Sequence, residues 1–167
     1  MPRKFEVKLA SDAAADQVWA AFRSAKYWQE RTAALGDITI DKYTAAKDGS
    51  VAIQTTENLK GANLPSVLAA VIPGTLNVVS TEEWKPRGDG SYAGDIALST
   101  TGAPGSGRMT SVLTPVGAGS LLTVNGSVRF NMPLVGGKIE EAIIKEFEKT
   151  LSTIHGFTDT WVAQNDA

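Results

Sequence analysis

Few side chains in this sequence are suited to chemistry, and the first limit is set by what is missing. The chain has one histidine, His155, and no cysteine. Disulfides and thiolate metal sites are therefore excluded, as is any metal site built on several histidines. A Ser-His-Asp triad would have to use His155 itself. That residue follows Ile154 near the end of a long helical pattern, where the helix dipole favours a cationic side chain. A dipole role, a ligand contact and a catalytic role are all open to it. No residue is assigned as catalytic, and no metal or cofactor is expected.

Glu82 offers more. Leu76, Val78 and Trp84 share a parity in one extended stretch. If they face inward, a period of two sends Ser80 and Glu82 inward with them. An inward carboxylate must find a donor or take up a proton. It could hold a ligand hydroxyl or act as a general acid. The plainer reading is a rim position with its charge in water.

Two glycine-rich stretches test for nucleotide binding. A phosphate loop needs glycine, four residues, Gly-Lys and then a hydroxyl residue. Gly137-Lys138 would require glycine at Met132 and a hydroxyl at Ile139, and both fail. Asn131 and Pro133 end a strand instead, and Gly136 and Gly137 are read as the joint from strand to helix. Gly105-Ser106-Gly107 starts a dinucleotide-like pattern, but Thr110 stands where the third glycine belongs. That stretch reads as a loop.

The elements that would position these groups follow from periodicity. Phe5, Val7 and Leu9 alternate with Lys4, Glu6 and Lys8, which marks a half-buried strand. Ser11 or Asp12 can cap a helix carrying Ala15, Val18, Trp19 and Phe22. A second helix spans Tyr27 to Leu35 and stops at Gly36. Strands follow around Ile38 and Ile40, then Val51 to Thr55 after an Asp48-Gly49 turn. Further strands cover Leu76 to Lys85, Tyr92 to Ser99, Arg108 to Thr114 and Leu121 to Met132. Asn125-Gly126 is also a hairpin signal, but one long strand with a glycine bulge is preferred. Arg129 and Asp95 are expected on the outer face. Leu134 to Val162 reads as the longest helix. Its stripe is Ile139, Ile143, Phe147, Leu151, Ile154 and Trp161, with Glu140, Glu141 and Lys145 on other faces.

The stretch from Leu64 to Gly74 lies in a long connection, with Pro65 near its start and Pro73-Gly74 at its end. It brackets a short helix rich in apolar residues: Leu64, Val67, Leu68, Val71 and Ile72. That content is too high for an idle surface loop. It fits a lid over a cavity, a plug for the core or a membrane-touching patch.

At 167 residues, 43% hydrophobic and 20% charged, the chain suits one globular domain. A net charge of −2 gives no mark of nucleic-acid binding. The N-terminal alternation does not read as a signal peptide, and no apolar run is long enough to span a bilayer. A cytoplasmic location is expected. Residues 1–163 are expected to form the domain and 164–167 a tail.

Three stretches together carry a family resemblance: VWAAFRSAKYWQERTAALG at 18–36, LPSVLAAVIPGTLNVVSTEEW at 64–84, and PLVGGKIEEAI at 133–143. With this order of elements, the chain resembles the START-like (SRPBCC, helix-grip) superfamily, and within it a bacterial subfamily of unknown function. The resemblance implies an α+β helix-grip fold, a curved antiparallel sheet of about seven strands wrapped around a long C-terminal helix. It implies a cavity between sheet and helix that holds a hydrophobic small molecule or lipid. The cavity residues expected from strand parity are Val78, Glu82, Trp84, Ile96, Val124, Phe130, Ile143, Phe147 and Ile154. Binding or carriage is the favoured reading, in a monomer or homodimer. The alternatives are an enzyme of cyclase, dehydratase or hydrolase type, with Glu82 or His155 as acid–base group, and an interaction module whose cavity is self-filled.

Overall fold

The computed structural model describes residues 2–60, 64, 66–72 and 74–165. The N-terminal alternation forms β1 (Arg3–Ser11), followed by α1 (Ala15–Phe22) and α2 (Ala25–Leu35). Then come β2 (Ile38–Ala45), β3 (Val51–Leu59) and the short α3 (Ser66–Ala69). Four longer strands follow: β4 (Leu76–Pro86), β5 (Tyr92–Thr101), β6 (Gly105–Val116) and β7 (Gly119–Phe130). The chain finishes in α4 (Gly136–Asn165), 30 residues and so about 45 Å long. The strands make one antiparallel sheet in the order β1-β7-β6-β5-β4-β3-β2. Thus β2 to β7 form a meander, and β1 adds beside β7. This is the helix-grip α+β plan. Among the described residues, no helix is long and apolar enough to cross a membrane.

Several local expectations need correction. The long β7 is right, but it has no bulge: its register against β1 and β6 runs unbroken through Gly126. A Cβ there would lie 2.7 Å from the Phe5 ring and 2.8 Å from Met109. The glycine is a seat for those two side chains rather than a turn or a kink. The one irregularity noted in the sheet falls in β2, between Ile40 and Lys42. Gly105-Ser106-Gly107 opens β6 and is not a loop. The cap of α1 is Ala14, not Ser11 or Asp12. The Gln17 side chain accepts the Ala14 N–H at 2.9 Å, and Ser11 Oγ accepts the Ala13 N–H at 3.0 Å.

At the joint between β7 and α4, only one of the paired glycines is sterically required. A Cβ on Gly136 would come 2.5 Å from the Phe130 carbonyl oxygen, whereas Gly137 has nothing closer than Arg3 at 3.6 Å. The left-handed residue of the joint is Leu134, at φ 71, with its side chain fully exposed. Glu140, read as lying off the apolar stripe, is nonetheless buried. Its Oε2 accepts the Phe130 N–H at 2.8 Å and ties the end of β7 to the first turns of α4. The helix continues past Gly156 without a break and takes in Gln164 and Asn165 of the expected tail.

Buried apolar residues fall into separate clusters at the two ends of the strands. One gathers Val18, Trp19, Phe22, Tyr27, Trp28, Val51, Ile53, Trp84, Leu113 and Val162, so α1 and α2 cap this end. The other gathers Leu64, Leu68, Ile72, Leu76, Phe130 and Ile139 around α3. β4 and α4 each run from one cluster to the other.

Candidate ligand-binding site

Cross-strand partners in an antiparallel sheet share a face. One row across the sheet is Val51, Trp84, Gly94, Ser111, Val124 and Val7. The next is Ile53, Glu82, Ile96, Met109, Gly126 and Phe5, and the one after is Thr55, Ser80, Leu98, Gly107 and Val128. The parity argument for Glu82 therefore holds: it lies on the face of buried Ile53 and Ile96, the face covered by the helices. In the middle rows, Thr55, Ser80, Glu82, Leu98 and Met109 are only half-buried. The same is true of Ile143, Phe147, Leu151 and Ile154, members of the apolar stripe on α4.

Glu82 is held from within its own strand. Trp84 donates from Nε1 to Glu82 Oε1 at 2.6 Å. Trp84 itself lies flat over Gly94, where a Cβ would come within 2.6 Å of the indole. Within electrostatic reach of Glu82 is a cation that the sequence reading missed. Arg31 comes from α2, whose buried face is Tyr27, Trp28 and Thr32. Its guanidinium carbon sits 4.6 Å from the Trp28 ring centre and 6.0 Å from that of Tyr27. Burial works against its charge, but Tyr27 and the Glu82 carboxylate outweigh it and hold the guanidinium above its ordinary range. Tyr27 is fixed in turn by a 2.6 Å hydrogen bond to Thr158 on α4.

A second carboxyl was also missed. Glu57 pairs with Val78 and Ile38 and so shares the inner face. Burial, with Asp37 nearby, raises its pKa above the ordinary range. Parity with Val51 and Ile53 was the available signal for Glu57. For Arg31 it was helical spacing from Tyr27 and Trp28.

The expected site residues divide by depth. Trp84, Ile96, Val124 and Phe130 are buried, with Trp84 in the α1–α2 cluster and Phe130 in the α3 cluster. Val78, Glu82, Ile143, Phe147 and Ile154 are half-buried, and Phe147 meets the Phe5 ring at 6.1 Å between centres. In the expected lid, Leu64, Leu68 and Ile72 are buried, and Val67 and Val71 pack against them. Pro65 and Pro73, read as the brackets of this helix, lie outside the described residues.

His155 does not sit at a helix terminus, because α4 continues to Asn165. Its Nε2 lies 2.8 Å from the Ala10 carbonyl oxygen and 3.9 Å from Asp159 Oδ2. The Ser11 hydroxyl bonds to Asp159 and not to the imidazole. These three residues fasten α4 to the end of β1 and do not form a nucleophile–base pair. Among the described residues, no group of acidic or histidine side chains could hold a metal.

A family model described as a protein of unknown function, DUF2505, matches residues 6–162. The chain belongs to this family. An uncharacterized protein of Mycobacterium tuberculosis (strain H37Rv) is 28% identical, with 99% of each chain covered. The fold is that of the START-like superfamily. A START superfamily protein from Mycobacterium smegmatis superposes with a TM-score of 0.53 at 12% identity, covering 96% of this chain and 97% of that one. Norcoclaurine synthase from Thalictrum flavum gives 0.61 at 14% identity, covering 99% and 88%. At such identities the likeness is one of fold, and activity has to be argued from the site.

Proposed function

We propose that the protein binds or carries a hydrophobic small molecule or lipid between the inner face of the sheet and α4. One observation supports this most. Several inward-facing side chains midway along the strands, Leu98 and Met109 among them, are half-buried, although Ile53, Ile96 and Val128 in the same rows are buried and closed apolar clusters lie on either side. A packed interior would bury Leu98, Met109 and Phe147 as it buries Leu113 and Val124. In this reading Val78, Ile96, Ile143, Phe147 and Ile154 are the apolar walls, and Glu82 is a polar anchor. Trp84, Val124 and Phe130 close the ends, and the stretch around α3 is the lid. The START-like fold of the neighbours is in keeping with it. A single domain running through the end of α4 at Asn165, a cytoplasmic location, and a monomeric or homodimeric state without nucleic acid complete the proposal.

Native mass spectrometry of the purified protein tests the reading. The expected result is an added mass that is lost on mild activation, or uptake of the apolar probe phenylnaphthylamine in solution. Protein that carries nothing and takes up no probe would refute it.

A further inference from the structure

We infer that Leu134 and the cations beside it dock the α3 end of the molecule on the surface of an anionic lipid bilayer. This goes beyond the ligand reading and does not depend on it. A single exposed leucine needs no explanation, but this one is held out at a cost. Leu134 stands at φ 71, a conformation that leucine adopts only under strain. The turn around it is fixed by the backbone. The Gly136 N–H donates to the Met132 carbonyl at 3.0 Å, and the Val135 N–H to the Pro133 carbonyl at 2.9 Å. Met132 and Val135 pack inward against the α3 cluster, whereas Leu134 between them is fully exposed. The fold thus bears a strained backbone to present a side chain that buries nothing within the molecule. Glycine would suit the turn better. The leucine gains only where something outside the chain covers it.

The surroundings specify that cover. Pro133 is exposed beside Leu134, and Ala69 and Ala70 are exposed at α3. Lys138, also exposed, lies four residues on in the first turn of α4. The Arg3 guanidinium reaches the joint from β1, 3.6 Å from where a Cβ on Gly137 would stand. Arg129, exposed at the end of β7, adds a third cation. None of the three is in an ion pair among the described residues. Glu140 is turned inward onto the Phe130 N–H, and exposed Glu141, one turn on in α4, pairs with none of them. A water-soluble anion would engage the cations but leave Leu134 in water. A bilayer with anionic headgroups serves both: the leucine enters the acyl boundary and the cations meet lipid phosphates.

Vesicle flotation tests this, with vesicles of phosphatidylcholine alone and of phosphatidylcholine mixed with phosphatidylglycerol. The protein should float with the mixed vesicles only, and binding should weaken as salt is raised. Leu134→Ser should weaken it about tenfold, as expected for withdrawing one buried leucine. Arg3→Gln and Lys138→Gln should each weaken it about fivefold. Leu134→Gly should lose binding like Leu134→Ser yet unfold at a temperature no lower than the wild type, because the strain is relieved. Val116→Ser removes the other exposed large hydrophobic among the described residues, at the opposite end of the sheet, and should float like the wild type. A wild type left in the soluble fraction with both vesicles overturns the inference, and so does undiminished flotation of Leu134→Ser. Self-association that Leu134→Ser abolishes, without flotation, overturns it in favour of a contact between copies of the chain. Uptake of phenylnaphthylamine is measured without vesicles, so failure here leaves the ligand reading standing.

Discussion

The two ends of the sheet are closed by different means. At the α1–α2 end the closing residues are rings: Phe22 meets Trp84 at 4.9 Å and Trp28 at 5.9 Å, and Trp19 stacks on Tyr92 at 4.7 Å. Directional bonds fix them, including Trp28 Nε1 to the Phe22 carbonyl at 2.7 Å. At the α3 end the closing residues are mostly aliphatic, with Phe130 the one ring among the buried members, and α3 itself is four residues long. Ring contacts and buried hydrogen bonds specify one arrangement, while a few aliphatic side chains on a short helix can readjust. The α1–α2 end is thus the more tightly specified of the two, and the α3 cluster the one more able to repack.

This contrast is most directly broken by truncating one leucine at each end. Leu113→Ala, in the ring cluster, should cost about 2–5 kcal/mol of unfolding free energy. Leu68→Ala, on α3, should cost about 2 kcal/mol or less, because its surroundings can collapse into the space. Urea titrations of both variants give the comparison. Equal losses would mean that the ends are equally rigid.

A pair of glycine variants sharpens the picture at the α3 end. Gly136→Ala should lose about 1–3 kcal/mol, because its methyl group runs into the Phe130 backbone. Gly137→Ala should be neutral, or stabilising by up to about 1 kcal/mol, because space is open and alanine is the better helix former. Thermal unfolding of the two should move in opposite directions. A destabilised Gly137→Ala would restore the role first read for that residue.

The smallest expected effect separates burial from charge at Glu57. Its carboxyl is held above the ordinary value of about 4.3, chiefly by burial and then by Asp37. The folded protein therefore keeps this proton more tightly than the unfolded chain does. The resulting penalty is absent below the ordinary pKa and grows as pH rises through the window between the ordinary and the raised value. At neutral pH, Glu57→Gln should be more stable than the wild type by less than about 1 kcal/mol, given the partial exposure. The difference should vanish near pH 4. A difference that persists there would assign the effect to packing.

Most of the strand order was legible because alternation is local and strong, as in Phe5, Val7 and Leu9. The misreadings cluster at glycines. Gly126 looked like a turn residue or a bulge, and Gly137 like a required part of the joint from strand to helix. What each glycine does depends on the atoms opposite it, Phe5 and Met109 at close range in one case and only the Arg3 side chain at 3.6 Å in the other, and those atoms are remote in sequence. Glu82 could be placed on the inner face by counting along one strand. Its counterpart Arg31 could not, because their proximity arises only when α2 packs against the curved sheet. The stripe on α4 was legible as apolar, but whether Phe147 meets a packed core or an open space is set by the sheet opposite.

The pairing of β1 with β7 has a consequence for how the molecule is assembled. Leu9 lies opposite Leu122, with the whole meander between them in the chain. Contacts so distant in sequence close late, because the intervening chain must lose its freedom first. The hairpins of β2 to β7 can form one after another from neighbouring segments, but β1 has no neighbour until β7 exists. During synthesis it precedes the strands of the meander and waits with an unpaired edge until β7 has been made. Lys4, Glu6 and Lys8 on its outward side are the kind of charges that keep a waiting strand from pairing with the wrong partner.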